Sequence, residues 1–81
     1  MSKRVIITGA ASGIGAATVE QLRKRGATVV GLDLNASGDI IECDVSDQES
    51  VERGVAAAIE RLGGGVDVLI NNAGVGFSQS A

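Results

Sequence analysis

Four blocks of aliphatic residues, rich in β-branched side chains, punctuate the chain, each too short for a helix and largely uninterrupted by polar residues. Val5-Ile6-Ile7 ends at Thr8-Gly9, and Thr28-Val29-Val30 with Leu32 ends at Asp33. Ile40-Ile41 leads to Cys43-Asp44, and Val66 with Val68-Leu69-Ile70 ends at Asn71-Asn72. Such runs suit strands of a parallel sheet that is covered on both faces. Between the blocks the apolar spacing becomes helical. Ser12 is placed to cap a helix starting at Gly13, on which Ile14, Ala17 and Leu22 share one face with the methyl of Thr18. Arg23, Lys24 and Arg25 fill its last turn, where cations suit the dipole, and Gly26 stops it. Ser46-Asp47-Gln48-Glu49 matches a capping box, in which the serine oxygen and the glutamate each satisfy a free N–H of the first turn. A second helix follows, with Val51, Val55, Ala58, Ile59 and Leu62 on one face and Glu52, Arg53, Glu60 and Arg61 elsewhere. Gly63-Gly64-Gly65 ends it.

These patterns predict strands over 27–33 and 39–44 with only Leu34-Asn35-Ala36-Ser37-Gly38 between them. A parallel crossover helix needs about a dozen residues or more. The second crossover is therefore expected to be a bare loop, with irregular backbone near the start of the third strand. The order strand, helix, strand, strand, helix, strand points to an α/β fold, one half of a doubly wound parallel sheet with flanking helices. All 81 residues suit a single small domain, with no internal repeat, low-complexity tract or linker.

Composition narrows the class. Hydrophobic residues at 44% and charged residues at 21% are globular values, but Phe77 is the single aromatic, so the core must be Val, Ile, Leu and Ala. A net charge of -3 and a pI near 4.7 argue against nucleic acid or an anionic membrane as partner, since those need clustered Lys and Arg. Cys43 is the lone cysteine and follows an apolar pair. It is expected to be a buried strand thiol, which fits a reducing, cytoplasmic compartment. Lys3 and Arg4 before an apolar stretch resemble a secretory leader, yet Thr8, Gly9, Ser12 and Gly13 break that stretch. No apolar run approaches the ~18 residues of a membrane span, so a soluble protein is expected.

The candidate chemistry sits at the strand ends. Thr8-Gly9-Ala10-Ala11-Ser12-Gly13-Ile14-Gly15 lies between a strand and a helix, where glycines permit a tight turn and the free N–H groups of the helix can bind a pyrophosphate. A side chain at Gly13 or Gly15 would push phosphates away. Asp33 lies 18 residues after Gly15, close to where an acid meets adenosine ribose hydroxyls in such sites. A carboxylate there repels a 2′-phosphate, and neither Ala11 nor Leu34 supplies a cation for one, which favours NAD over NADP. The plainer reading of Asp33 is a solvated strand end or a turn cap. Asp44-Val45 lies at the same edge, where the carboxylate could accept from an adenine amino group or simply neighbour a helix cap. Asn71-Asn72-Ala73-Gly74 could bring backbone close to a ribose, or its amides could tie neighbouring strands together.

Taken in order, Thr8-Gly9-x-x-x-Gly13-x-Gly15, Asp33, Asp44-Val45 and Asn71-Asn72-Ala73-Gly74 resemble the short-chain dehydrogenase/reductase family over essentially the whole chain. The three-residue gap between the first two glycines and the Asn-Asn-Ala-Gly turn carry that resemblance, since other dinucleotide folds use G-x-G-x-x-G. It implies a Rossmann-like sheet of which these residues are the N-terminal, cofactor-binding half. Gly9, Ser12, Gly13, Ile14 and Gly15 would hold the pyrophosphate and Asp33 the adenosine ribose. Asp44 and Val45 would flank adenine, and Asn72, Ala73 and Gly74 would meet the cofactor riboses. The missing second crossover helix is similar to the subgroup containing bacterial 3α-hydroxysteroid dehydrogenase/carbonyl reductase.

The family's proton-handling serine and Tyr-x-x-x-Lys pair come after the Asn-Asn-Ala-Gly turn, and the 81 residues contain no tyrosine or histidine. The expected function is thus the NAD-binding fragment of an oxidoreductase that moves hydride between a secondary alcohol or ketone and NAD. No catalytic residue is assigned, and the fragment alone is expected to be inactive. The alternative is a stand-alone nucleotide-binding or interaction module whose fourth strand, 66–70, pairs with another chain, giving a homo-oligomer or aggregation. A methyltransferase-like site for an adenosyl cofactor also places an acid after strand two, but gives no reason for a pyrophosphate-cradling loop.

Overall fold

A computed structural model describes residues 3–72. Four parallel strands, β1 (Arg4–Thr8), β2 (Thr28–Asp33), β3 (Ile41–Glu42) and β4 (Val68–Asn71), form one sheet in the order β3-β2-β1-β4. Two helices, α1 (Gly13–Lys24) and α2 (Gln48–Arg61), supply the crossovers into β2 and β4. The half of a doubly wound sheet expected from the apolar pattern is what forms. β1 is central and pairs with β2 from Arg4↔Thr28 to Thr8↔Leu32, and with β4 from Val5↔Val68 to Thr8↔Asn71.

Strand periodicity divides the core in two. Ile6, Val30 and Leu32 join Cys43, Ala58 and Leu62 under α2, with Val51, Val55 and Ile59 packed against them. Val5, Ile7, Ala10 and Val29 lie on the other face, with Val19 and Leu22 of α1, Ile40, Val68 and Ile70 around them. Because successive side chains point to opposite faces, an unbroken apolar run is what a sheet with a helix on each side requires.

α2 buries the face expected of it, but α1 does not. Ile14 is 74% exposed, and with Ala17, Thr18 and Gln21 it lines a shallow outward groove. Of the residues expected on the inward face Leu22 does pack on the core, but its companions there are Gly15 and Val19. The capping box is also shifted by one residue. Asp47 caps α2 by accepting from Glu49 N–H at 3.2 Å, while Ser46 donates its hydroxyl to Asp44 Oδ1 at 2.6 Å. A charged acceptor two residues away outcompetes the helix for that hydroxyl.

The connection from β2 to β3 is a bare loop, and its shortness limits β3 to two paired residues, Leu32↔Ile41 and Asp33↔Glu42. Asp39 anchors the loop on both sides of the sheet. Its carboxylate accepts from Arg23 of α1 at 3.0 Å, and its carbonyl accepts from Arg61 of α2 at 2.6 Å. Where a crossover helix would cover the sheet, Ile40 packs into the core under α1. At the opposite end of the strands, Asp67 accepts from Arg4 N at 2.8 Å and Arg4 Nε at 3.2 Å, joining β1 to the start of β4. No helix among the described residues is long and apolar enough to cross a membrane.

Candidate cofactor-binding site

The glycine loop leaves β1 at the carboxyl edge of the sheet, where β2, β3 and β4 also end. Gly9 adopts φ 69, a conformation that disfavours any residue with a Cβ, and this turns the chain sharply into the loop. Its carbonyl then becomes a hub. It accepts from Ser12 N at 3.2 Å, from the Ser12 hydroxyl at 2.8 Å and from Asn72 Nδ2 at 3.3 Å. Ser12, in extended backbone, caps α1 by accepting from Gly15 N–H at 3.2 Å. Asn72 also reaches Ser12 Oγ at 3.4 Å, so the end of β4 is tied to the loop after β1.

The two glycines that open α1 serve different ends. A Cβ on Gly15 would overlap the Gly9 carbonyl oxygen and lie 2.8 Å from Asn72 Nδ2, so the protein itself excludes a side chain there. A Cβ on Gly13 would meet nothing within 4 Å. Gly13 is exposed and opens a twelve-residue helix with no acid in its first turn. A phosphate fits that donor set, because the first N–H groups of a helix lack intrahelical partners and the dipole favours an anion.

Asp33 closes the other flank. Its Oδ2 accepts from Ala11 N–H of the glycine loop and its Oδ1 from Asn35 N–H, both at 2.9 Å. Beyond it lies a cavity of about 130 Å³ lined by Gly9, Asp33, Leu34, Cys43, Asp44 and Val45. Leu34 and Val45 remain exposed on its walls. The hydroxyl and N–H of Ser46, at 2.6 and 3.0 Å, hold the Asp44 carboxyl below the usual carboxylate range. Cys43, at 1% exposure, forms part of the cavity floor. Burial pushes its thiol up, and Asp44's charge adds to that, against a contact with Ser50.

The structure thus brings Gly9, Ser12, Gly13, Gly15, Asp33, Asp44, Val45 and Asn72 to one edge. Ile14 sits beside them with its side chain in solvent, and Ala73 and Gly74 lie outside the described residues. Asn71 turns to the sheet, accepting the Thr8 hydroxyl at 2.9 Å, which is the strand-tying role considered for it. Two participants escaped the sequence reading. The Ala11 N–H carries no side-chain signature, and Ser50, whose hydroxyl accepts from Asp44 N–H at 2.9 Å, reads as an ordinary helix residue.

Residues 3–81 match the family model described as short chain dehydrogenase. The chain is 40% identical to coniferyl-alcohol dehydrogenase of a Pseudomonas species over 91% of its own length and 29% of that protein. Among solved structures, it superposes with a TM-score of 0.75 and 46% identity on the 3-alpha-hydroxysteroid dehydrogenase of Pseudomonas sp. B-0831 complexed with NADH. That match covers 89% of this chain and 31% of the other. It also superposes on 3-ketoacyl-(acyl-carrier-protein) reductase of Brucella melitensis complexed with NADH, at a TM-score of 0.73 and 30% identity, covering 83% and 32%. The chain belongs to the short-chain dehydrogenase family, and it spans about a third of the length of these relatives.

Proposed function

We propose that these residues are the NAD-binding half of an oxidoreductase that transfers hydride between a secondary alcohol or ketone and the nicotinamide. The observation that carries this reading is the carboxylate of Asp33 beside the open amino end of α1, on the rim of the cavity between β2 and β3. In this reading the N–H groups of the first turn of α1 bind the pyrophosphate, with Gly9, Ser12, Gly13, Ile14 and Gly15 around it. Asp33 accepts from the two adenosine ribose hydroxyls. Its charge opposes a 2′-phosphate, so NAD is preferred to NADP. Leu34 and Val45 sandwich the adenine, and Asp44 accepts from its amino group. Asn72, Ala73 and Gly74 reach the riboses. Bound NAD supplies the hydride acceptor. The chain's own part is to hold and orient it.

Proton transfer to or from the substrate oxygen falls to groups outside these 81 residues, which contain neither tyrosine nor histidine. The chain by itself is expected to bind nucleotide weakly and turn nothing over. Calorimetry with NAD, NADP and S-adenosylmethionine tests the reading. Saturable binding of NAD, at least tenfold tighter than the other two, is expected. Binding of S-adenosylmethionine alone would replace it with a methyltransferase-like site.

A second reading rests on β4. Leu69 is 58% exposed although its strand pairs fully with β1, because α2 packs over β2 and β3. An edge with an uncovered apolar side chain can recruit another strand. A discrete dimer in sedimentation would favour this interaction role, whereas a stable monomer would count against it.

A further inference from the structure

The Asp33 carboxylate accepts hydrogen bonds on both oxygens before any ligand arrives, and one of these donors is the phosphate loop itself. Ala10 N–H is held by Leu32 O at 3.1 Å, Ala11 N–H by Asp33 Oδ2 at 2.9 Å, and Ser12 N–H by Gly9 O at 3.2 Å. Three successive loop amides are therefore occupied by protein. Of the N–H groups that begin α1, Gly15's goes to Ser12 Oγ, and those of Gly13 and Ile14 are left for an anion. Without Asp33, Ala11 N–H would have only water, and the Ala10 N–H bond to Leu32 O would be left as the hydrogen bond from the segment between Gly9 and the Ser12 cap to the end of β2. We propose that Asp33 is a positioning residue for the phosphate subsite: its carboxylate locks the glycine loop through Ala11 N–H in the shape that presents the first turn of α1 to a phosphate.

The inference rests on the dinucleotide reading above and adds to Asp33 a role separate from contact with the ribose. A carboxylate oxygen has two lone pairs, so a lock on Ala11 leaves acceptor capacity for ribose hydroxyls. The two roles make opposite predictions for a ligand that has phosphates and no ribose. If Asp33 only reads the ribose, removing its negative charge should strengthen binding of inorganic pyrophosphate. If it locks the loop, removal should weaken it, because the amides must be reordered on binding.

The test titrates inorganic pyrophosphate into the 81-residue chain and its D33A and D33N variants, following backbone amide shifts of Gly9 to Gly15, and measures hydrogen exchange at Ala11. Asn sheds the same charge as Ala but keeps one oxygen acceptor within reach of the loop. The expected result is at least tenfold faster Ala11 exchange in D33A and at least threefold weaker pyrophosphate binding than wild type. D33N is expected to bind at least threefold tighter than D33A. Unchanged Ala11 exchange, or equal pyrophosphate affinity in the two neutral variants, would overturn the lock. If wild type itself shows no shifts with pyrophosphate or NAD, the dinucleotide reading fails, and with it the subsite role, while Ala11 exchange still reports whether the loop is held.

Discussion

At Gly15 a single methyl group would have to share space with the Gly9 carbonyl, whereas at Gly13 it would project into open solvent. The two substitutions therefore separate folding from binding. Gly15→Ala is expected to destabilise the chain by about 1–3 kcal/mol, the usual range for forced overpacking, read as a lowered urea midpoint. Gly13→Ala should leave stability within about 0.5 kcal/mol, as surface changes do. A side chain at the amino end of α1 would crowd a phosphate held there, so NAD affinity should fall about tenfold or more by calorimetry. Equal effects of both variants on stability would contradict this division. Asp33→Ala is expected to weaken NAD binding by about 1–3 kcal/mol, since the ribose hydroxyls, covered once the nucleotide is bound, and Ala11 N–H lose a charged acceptor. Equal or tighter NAD binding would remove Asp33 from the site.

The elements show what local sequence could convey. The strands were legible because β-branched runs end at residues that cannot continue them, and the start of α1 was legible because Ser12 is followed by two glycines and a helical run. The cap of α2 was misplaced by one residue because Ser46 has a nearer partner in Asp44, a competition that residue types alone do not rank. The inward face of α1 was misjudged for a related reason. Helical periodicity identifies an apolar stripe, but the close approach of Gly15 to Gly9 sets which side of the helix meets the sheet, leaving Ile14 and Ala17 outside. That Asp33 and Asn72 fall at strand ends was legible by spacing, while the bond from Ala11 to Asp33 depends on backbone geometry and was not.

The pairing of β1 with the start of β4 is also an element-scale device, and it carries a pH signature. Arg4 side-chain and backbone donors, the side-chain bonds first, hold the Asp67 carboxyl below its ordinary value of 3.8. A carboxylate whose pKa is depressed on folding contributes stability that is present above the unfolded value and lost as pH falls through the folded one. Asp67→Asn should therefore be less stable than wild type at neutral pH, by a small amount because the pair is exposed. The two chains should converge in strongly acidic solution, below the depressed value. Parallel urea midpoints across the whole pH range would show that the Arg4 contact adds nothing.

For the whole molecule, exposure is uneven. β1 and β2 are covered on both faces, but Leu69 on one face of β4 and Ile14 beside the opposite face remain in solvent. An apolar side chain left uncovered on one face of a sheet is what a packed layer would normally bury. Leu69→Lys is expected to reduce concentration-dependent association in sedimentation without changing NAD affinity, since the side chain lies outside the nucleotide site. A loss of NAD binding in that variant would mean that β4 contributes to the site beyond the Asn72 that follows it.

The expectations for nucleotide binding depend on an anion seated over the first turn of α1 with a ribose on Asp33. Following the backbone amides of Gly9 to Gly15 and of Asp33 during a titration with NAD, and separately with NADP, tests that arrangement most directly. Saturable shifts at both places with NAD, at about tenfold lower concentration than with NADP, are predicted. Shifts confined to other parts of the chain, or an equal response to the two nucleotides, would contradict it.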